Sequence, residues 1–594
     1  MKVWYLLSPR EQRSAILLLI MMIIMALLDT IGVASILPFM AVLTNPELVE
    51  TNIILNTIYQ ASSIFGVENK FEFLFVLGVA VFFILVSSLA FKSLTIFSQE
   101  RFINMREYSM GKRLIEGYIH QPYSWFLNRN SADLGKNILS EVSEVISRGI
   151  TSLILLIANS LVTVALITLL VVTNPLLALM VGFTLSLSYL IIYAFTRRYL
   201  KKIGSERLKH NHLRFTAASE AFGAAKEVKV GGVEKYYIER FSDSAKIYAK
   251  TNASAVVIAT LPRFALEAVA FGGIIMVVLY LMTLSGNFYN ALPIISLYVF
   301  AGYRLLPALQ GIYRSVILLR FSGPAVETLA KDFRNLKPIG INQDKKSISF
   351  NKSITLKNIY YNYPKSKRSA LEDICLKIPA KSCIGLVGPT GSGKTTTVDI
   401  ILGLLEPDKG ILEIDGQVIT KQNTRAWQRS IGYVPQNIYL SDDTIAANIA
   451  FGIDPKDINQ QAVEKASKIA NLHDFVVGEL SKKYQTKVGE RGIRLSGGQR
   501  QRIGIARALY HTPQVLILDE ATSALDNQTE QAVMDALNNL NKNLTIILIA
   551  HRLTTVRKCD NIFFLEKGKL TGEGNFEAMR KTNKLFNVMA SQNL

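Results

Sequence analysis

The run GPTGSGKTT at 388–396 sits between an apolar segment, SCIGLV, and a second apolar run, VDIILGLL. Strand, glycine-rich turn and helix together let backbone N–H groups wrap phosphates while the positive end of the helix points at them. On this pattern Gly388, Pro389, Thr390, Gly391, Ser392, Gly393, Lys394, Thr395 and Thr396 form a phosphate cradle. Lys394 reaches the β- and γ-phosphates, and Thr395 ligates Mg2+. VLILDE at 515–520 supplies a buried strand from whose carboxyl end Asp519 organises the metal, with Glu520 beside it to orient or deprotonate an attacking water. LSGGQRQR at 495–502 adds a second anion-binding device, with Ser496, Gly497, Gly498 and Gln499 at a helix start. Two phosphate cradles of different design have a use if two chains share one nucleotide.

That last motif resembles the signature of ATP-binding cassette (ABC) proteins, which closes over nucleotide held by the P-loop of the opposing domain. The resemblance covers 351–594 and implies ATP and Mg2+ as cofactors and a second copy of the chain as partner. It makes Tyr363 in YYNYP the aromatic that stacks on adenine, and Gln436 in YVPQ a residue that touches Mg2+ and water at the border of the membrane domain. Asp526 in SALD becomes part of the loop linking the two sites, and His551 in IAHR the γ-phosphate contact. Glu520, His551 and Gln436 are then the catalytic set. Thr395, Gln436 and Asp519 hold the metal.

These residues must be carried by two different kinds of structure. The 594-residue chain has only 19% charged residues. Its first half holds apolar runs near 15–43, 72–98, 150–173, 175–196, 255–285 and 291–321, each long enough to span a bilayer. The expected fold is an α-helical six-span transmembrane domain of ABC exporter type at 1–325, a polar linker at 326–350, and an α/β P-loop nucleotide-binding domain at 351–594. The net charge of +20 concentrates in 197–250 and in the segment after the second span, which puts both long loops and both termini in the cytoplasm. Basic residues interleaved with exposed aromatics are missing, so nucleic acid is excluded as partner. The three cysteines, Cys375, Cys383 and Cys559, lack metal-ligand spacing and fit a reducing compartment. Residues 46–66 form either a short amphipathic helix on the outer surface or an ordered loop. QPYSWFLNRNSADL at 121–134 and EAFGAAKEVKVGGVE at 220–234 resemble the coupling regions that dock on nucleotide domains.

Arg263 and Glu267, four apart in the fifth span, share a helix face. Arg304 in the sixth span and Lys92 in the second bring two more cations into the apolar zone. With Glu267 as the acid weighed against them, the interior keeps an excess of positive charge. That favours an anion site over a purely structural pair. PRF at 262–264, YRLLPAL at 303–309 and the helix after the first span resemble the PglK-type flippases of lipid-linked oligosaccharides in bacterial protein glycosylation. By that resemblance Arg263 and Arg304 hold a polyprenyl diphosphate, with Lys92 and Glu267 in the same substrate set. The chain is then a homodimeric ATP-driven exporter in a bacterial inner membrane. One departure stands out: Gly311 lies near where that family has a further basic residue. The alternative is a multidrug or lipid A-type exporter with the same engine. A regulator or channel that uses ATP only as a switch is disfavoured by Glu520 and His551.

Overall fold

The structure is a computed structural model that describes residues 8–62, 67, 69–173, 175–264, 267–268, 271–273, 275–276, 279, 288–336, 347–364, 366, 368–520, 527–540, 544–550 and 552–592. The chain divides into two compact units, one of residues 1–121 and 128–339, the other of 122–127 and 340–594.

The first unit is helical. Its long helices are α1 (Pro9–Ala34), α2 (Ile36–Thr44), α3 (Ile53–Ser62), α4 (Lys70–Ile119), α5 (Thr151–Thr173), α6 (Pro175–Gly223), α7 (Glu234–Thr260) and α8 (Phe288–Asn335). Helix α1 opens on a capping box in which Ser8 N–H donates to Glu11 Oε2 at 2.7 Å, with Pro9 in the first turn. Glu11 also meets Arg106 Nη1 at 2.7 Å, which fixes the start of α1 against α4. Among the described residues, Pro9–Thr44, Lys70–Ile119 and Ser131–Thr173 are long and apolar enough to cross a membrane. The expected spans 175–196 and 291–321 lie within α6 and α8, while 255–285 falls partly outside the described residues. Leu17, Phe71, Phe82, Val164 and Phe195 stand exposed along these helices, the outward apolar face that a lipid solvent requires.

Within the expected segment 46–66, residues 53–62 are helical. Leu55 turns inward while Ile54 and Ile58 stay exposed. The expected linker is helical up to Asn335, because α8 continues until three residues before the helix-breaking Pro338.

The second unit is α/β. A six-stranded sheet runs in the order β10-β9-β3-β8-β7-β6: β3 (Cys383–Val387), β6 (Ile431–Val434), β7 (Val515–Asp519), β8 (Thr545–Ile549), β9 (Asn561–Glu566) and β10 (Lys569–Gly574). All its pairings are parallel except β9 with β10. Every residue of β3, β7 and β8 is buried, as expected where both faces of a parallel sheet are covered. A four-stranded antiparallel sheet, order β2-β1-β4-β5, comprises β1 (Ser353–Tyr361), β2 (Leu371–Pro379), β4 (Lys409–Ile414) and β5 (Gln417–Val418). Asp415 and Gly416, both at positive φ, turn β4 into β5.

Candidate functional site

The P-loop leaves β3 and runs into helix α9 (Lys394–Ile401). Gly388 and Gly393 take φ of 151° and 103°. A Cβ on Gly388 would lie 2.1 Å from the Leu565 carbonyl oxygen, and one on Gly393 would lie 2.7 Å from Leu371 Cδ2. The loop can follow this path only without side chains at these points. Lys394 Nζ donates to the carbonyls of Gly388 at 2.8 Å and Pro389 at 3.1 Å, so the cation is held over the loop. Burial pulls its pKa below the usual lysine range, against the opposing pull of Glu520 and Asp519. Ser392 Oγ is buried without a hydrogen-bond partner among the described residues. An orphaned hydroxyl inside a glycine-rich turn at a helix start fits a phosphate ligand.

The adjacent strands bring the acids. Asp519 ends β7, and its Oδ2 accepts from Tyr433 Oη at 3.5 Å. Burial, then Asp519 and Asp399, push the Tyr433 phenol up. Asp399 on α9, buried and near Asp519, is raised to about 6. Glu520 stands at a φ of 49°, a conformation that L side chains seldom adopt and that turns its carboxylate away from the strand. Gln436 Nε2 donates to Glu520 Oε2 at 2.7 Å. Tyr363 Oη and Thr396 Oγ1 lie 3.0 Å apart, which sets the aromatic beside the start of α9. Among the described residues no three acids, histidines or cysteines gather into a metal centre, so a divalent cation here would rest on Asp519 and on the phosphates of a bound nucleotide. Thr395, the remaining expected ligand, is exposed on the first turn of α9.

The signature motif starts a different helix, α10 (Gly497–Leu509). Ser496 Oγ accepts from Gln499 N–H at 3.2 Å, and Gln499 Oε1 accepts from Ser496 N–H at 2.8 Å. None of the described hydrogen bonds joins this cap to the P-loop. Arg507 ties α10 to the Gln436 segment by donating to the carbonyls of Tyr439 (2.9 Å) and Asn448 (2.8 Å). Between them lies a groove of about 530 Å3, lined by Gln436, Tyr439, Arg491, Gly497 and Arg500 among others. Asp526 and His551 lie outside the described residues. Residues 122–127 of the first coupling region group with this unit, and Tyr123 is raised by burial and then by Asp399 and Tyr363.

In the helical unit the structure corrects the charge count. Arg263 Nε meets Glu267 Oε1 at 2.6 Å, and Gln310 Nε2 from α8 donates to the same oxygen at 3.3 Å. Lys92 and Arg304 are not uncompensated. Both face Asp29 of α1, with Lys92 Nζ 3.3 Å from Oδ2 and Arg304 Nη1 3.4 Å from Oδ1. Ser88 Oγ donates to Oδ1 at 3.0 Å. Three cations therefore meet two carboxylates, leaving one positive charge rather than two. The sequence reading missed Asp29; the signal was a lone carboxylate deep in the apolar run 15–43. At Gly311 a Cβ would lie 2.3 Å from Asn159 Nδ2, so any side chain there has to displace the Asn159 amide on α5.

Residues 48–304 match the family model for the ABC transporter transmembrane region, and 371–523 the model for the ABC transporter. The ATP-dependent lipid A-core flippase of Cupriavidus pinatubonensis is 31% identical over 489 residues, 80% of each chain. That of Legionella pneumophila is 29% identical over 78% of this chain and 77% of its own. A solved bacterial Atm1-family ABC exporter with ATP bound shares the fold, with a TM-score of 0.78 over 98% of both chains at 22% identity. The chain belongs to the ABC transporters, as an exporter whose ATPase domain drives transport.

Proposed function

We propose that the chain is one half of a homodimeric flippase that moves a phosphorylated glycolipid of lipid A-core type out of the cytoplasmic leaflet. The observation that carries this reading is the intramembrane cluster of Asp29, Lys92 and Arg304, with one more cation than anion. Arginine and lysine held at that depth suit a phosphate on a lipid headgroup. The lipid A-core flippases, similar over four-fifths of the chain, support the same cargo class. A polyprenyl-diphosphate oligosaccharide is the second reading. Arg263 and Arg304, within PRF and YRLLPAL, favour it, while the close packing of Gly311 on Asn159 speaks against the further basic residue it would use.

In the nucleotide unit, Lys394 and the N–H groups of 388–396 bind the ATP phosphates, and Ser496–Gln499 of the partner copy close over them. Thr395, Gln436 and Asp519 would hold Mg2+, which neutralises phosphate charge when bound. Glu520, oriented by Gln436, accepts the proton of the attacking water. Tyr363 stacks on adenine, and Asp526 and His551 complete the linking loop and the γ-phosphate contact. The basic loops support cytoplasmic termini in a bacterial inner membrane. The test is a proteoliposome assay that follows ATP-dependent disappearance of labelled lipid A from one leaflet, with Glu520→Gln as the inactive control. Movement of lipid A supports the reading. Movement of a polyprenyl-diphosphate glycan in its place selects the second, and movement of neither, with ATPase activity intact, overturns both.

A further inference from the structure

The Asp29 side chain has no solvent exposure, whereas Lys92 keeps 34% and Arg304 17% of theirs. The acid is sealed behind two cations that still reach outward. Its two oxygens serve different partners on different helices: Oδ2 takes Lys92 of α4, and Oδ1 takes Arg304 of α8 together with Ser88 of α4. At 3.3 and 3.4 Å both ion pairs are longer than the roughly 2.7–2.9 Å of a tight charge-assisted hydrogen bond. The cluster thus has slack on the side of the exposed cations and none on the side of the acid.

We infer that Asp29 is a displaceable counter-ion: it occupies the Lys92–Arg304 pair until the phosphate of a lipid cargo takes its place. This rests on the phosphate-lipid reading above. A phosphate arriving from the open side offers the two cations more charge than one carboxylate does, and both side chains are long enough to turn to it. Asp29 is then left with Ser88 alone. A buried carboxylate stripped of its cations is strongly destabilised, and that stored cost favours release of the phosphate at the end of the cycle. A site with free cations would bind more tightly and hold its cargo, whereas passage requires binding weak enough to leave. Because Arg304 lies on α8 and Ser88 on α4, the exchange unties Asp29 of α1 from α8 while Ser88 still holds it to α4. Asp29 is a positioning and affinity-setting residue.

The experiment measures binding of diphosphoryl lipid A, and separately of farnesyl diphosphate, to the full chain in nanodiscs. Asp29→Asn should bind the phosphate lipid about tenfold more tightly or better, since a competing anion is gone. It should also flip cargo more slowly per ATP hydrolysed. Lys92→Met and Arg304→Met should each lose about tenfold or more. A purely structural role leaves affinity unchanged or lowers it, so equal or weaker binding by a folded Asp29→Asn overturns the inference alone. If that variant does not fold, Lys92→Met against Asp29→Asn/Lys92→Met poses the same question at the wild-type net charge, and the double variant should bind more tightly. The probe that responds identifies the phosphate source. Binding of neither probe by the wild type overturns the cargo reading and this inference together.

Discussion

The two units carry their chemistry in different ways. In the nucleotide unit the working groups are neighbours in sequence: nine consecutive residues make the phosphate loop, and Asp519 and Glu520 are adjacent. A loop of this kind binds phosphate largely through backbone N–H groups, so the path of the chain would itself be the site. In the helical unit Ser88 and Lys92 are 59 and 63 positions from the Asp29 they serve. Their site exists only once three helices have packed, and its sign depends on a balance of charges. A backbone-built site can be read from a motif; a charge-balanced one needs every partner to be known.

The largest expected effect lies on the motif side. Glu520→Gln keeps the shape and the hydrogen bond with Gln436 but removes the base, so ATPase activity should fall by about 10²–10³. Nucleotide binding should persist. Activity within a few-fold of the wild type would mean that the acid beside the strand end does not handle the water.

Asp399 sharpens the contrast, because here the nucleotide unit also depends on a charge that no motif announces. Its carboxyl is raised from 3.8 to about 6 by burial and by Asp519. A raised acid is penalised when ionised: the penalty is absent below the unfolded value, grows between 3.8 and about 6, and is complete above that. Asp399→Asn should therefore stabilise the Mg2+-free protein at pH 7.5, by at most about 3 kcal/mol. The gain should fade as pH drops toward 4. Thermal unfolding at several pH values checks this, and a gain that grows on acidification would reverse the assignment.

What could be read early, and what could not, follows the same division. The P-loop, the strand-end acids and the signature cap were all read from contiguous runs; in the structure Lys394 lies over the loop carbonyls, Asp519 ends β7 and Gln436 bonds Glu520. The α/β alternation after 351 was legible from short apolar runs between glycines. Asp29 was not, because one acid in a long apolar stretch says nothing about which helices will surround it. Arg207 is a similar case. Among the basic residues of 197–250 it counts as one more cytoplasmic-loop charge, yet it is buried against Glu141 and Glu144, beside π-helical turns at 137–141 and 145–150. Local periodicity assumes the α-helical repeat and so misplaces residues around a π turn.

A smaller effect tests close packing in the helical unit. Gly311→Ala drives a methyl group into Asn159, which should cost about 1–3 kcal/mol and lower the unfolding midpoint. Asn159→Ala in the same chain should recover most of that loss. A single variant as stable as the wild type would mean that the Asn159 side chain moves aside freely, and that the packing at 311 does not exclude a larger residue.

The smallest effect returns to the nucleotide unit, at the thiols. Cys383 opens β3, the strand that feeds the P-loop, and its Sγ lies 3.2 Å from that of Cys559. Both are buried, while Cys375 is exposed. The hydrogen bond with Cys383, and then burial, hold the Cys559 thiol far above the usual range. Since the thiolate is the reacting form, the pair should be inert in the native state despite its closeness. A maleimide at pH 7.5 should label one thiol per chain quickly and all three only in denaturant. Fast labelling of three would show that the base of β3 opens readily. The loop above it would then owe its shape less to a rigid strand than to the glycines and to the phosphate it encloses.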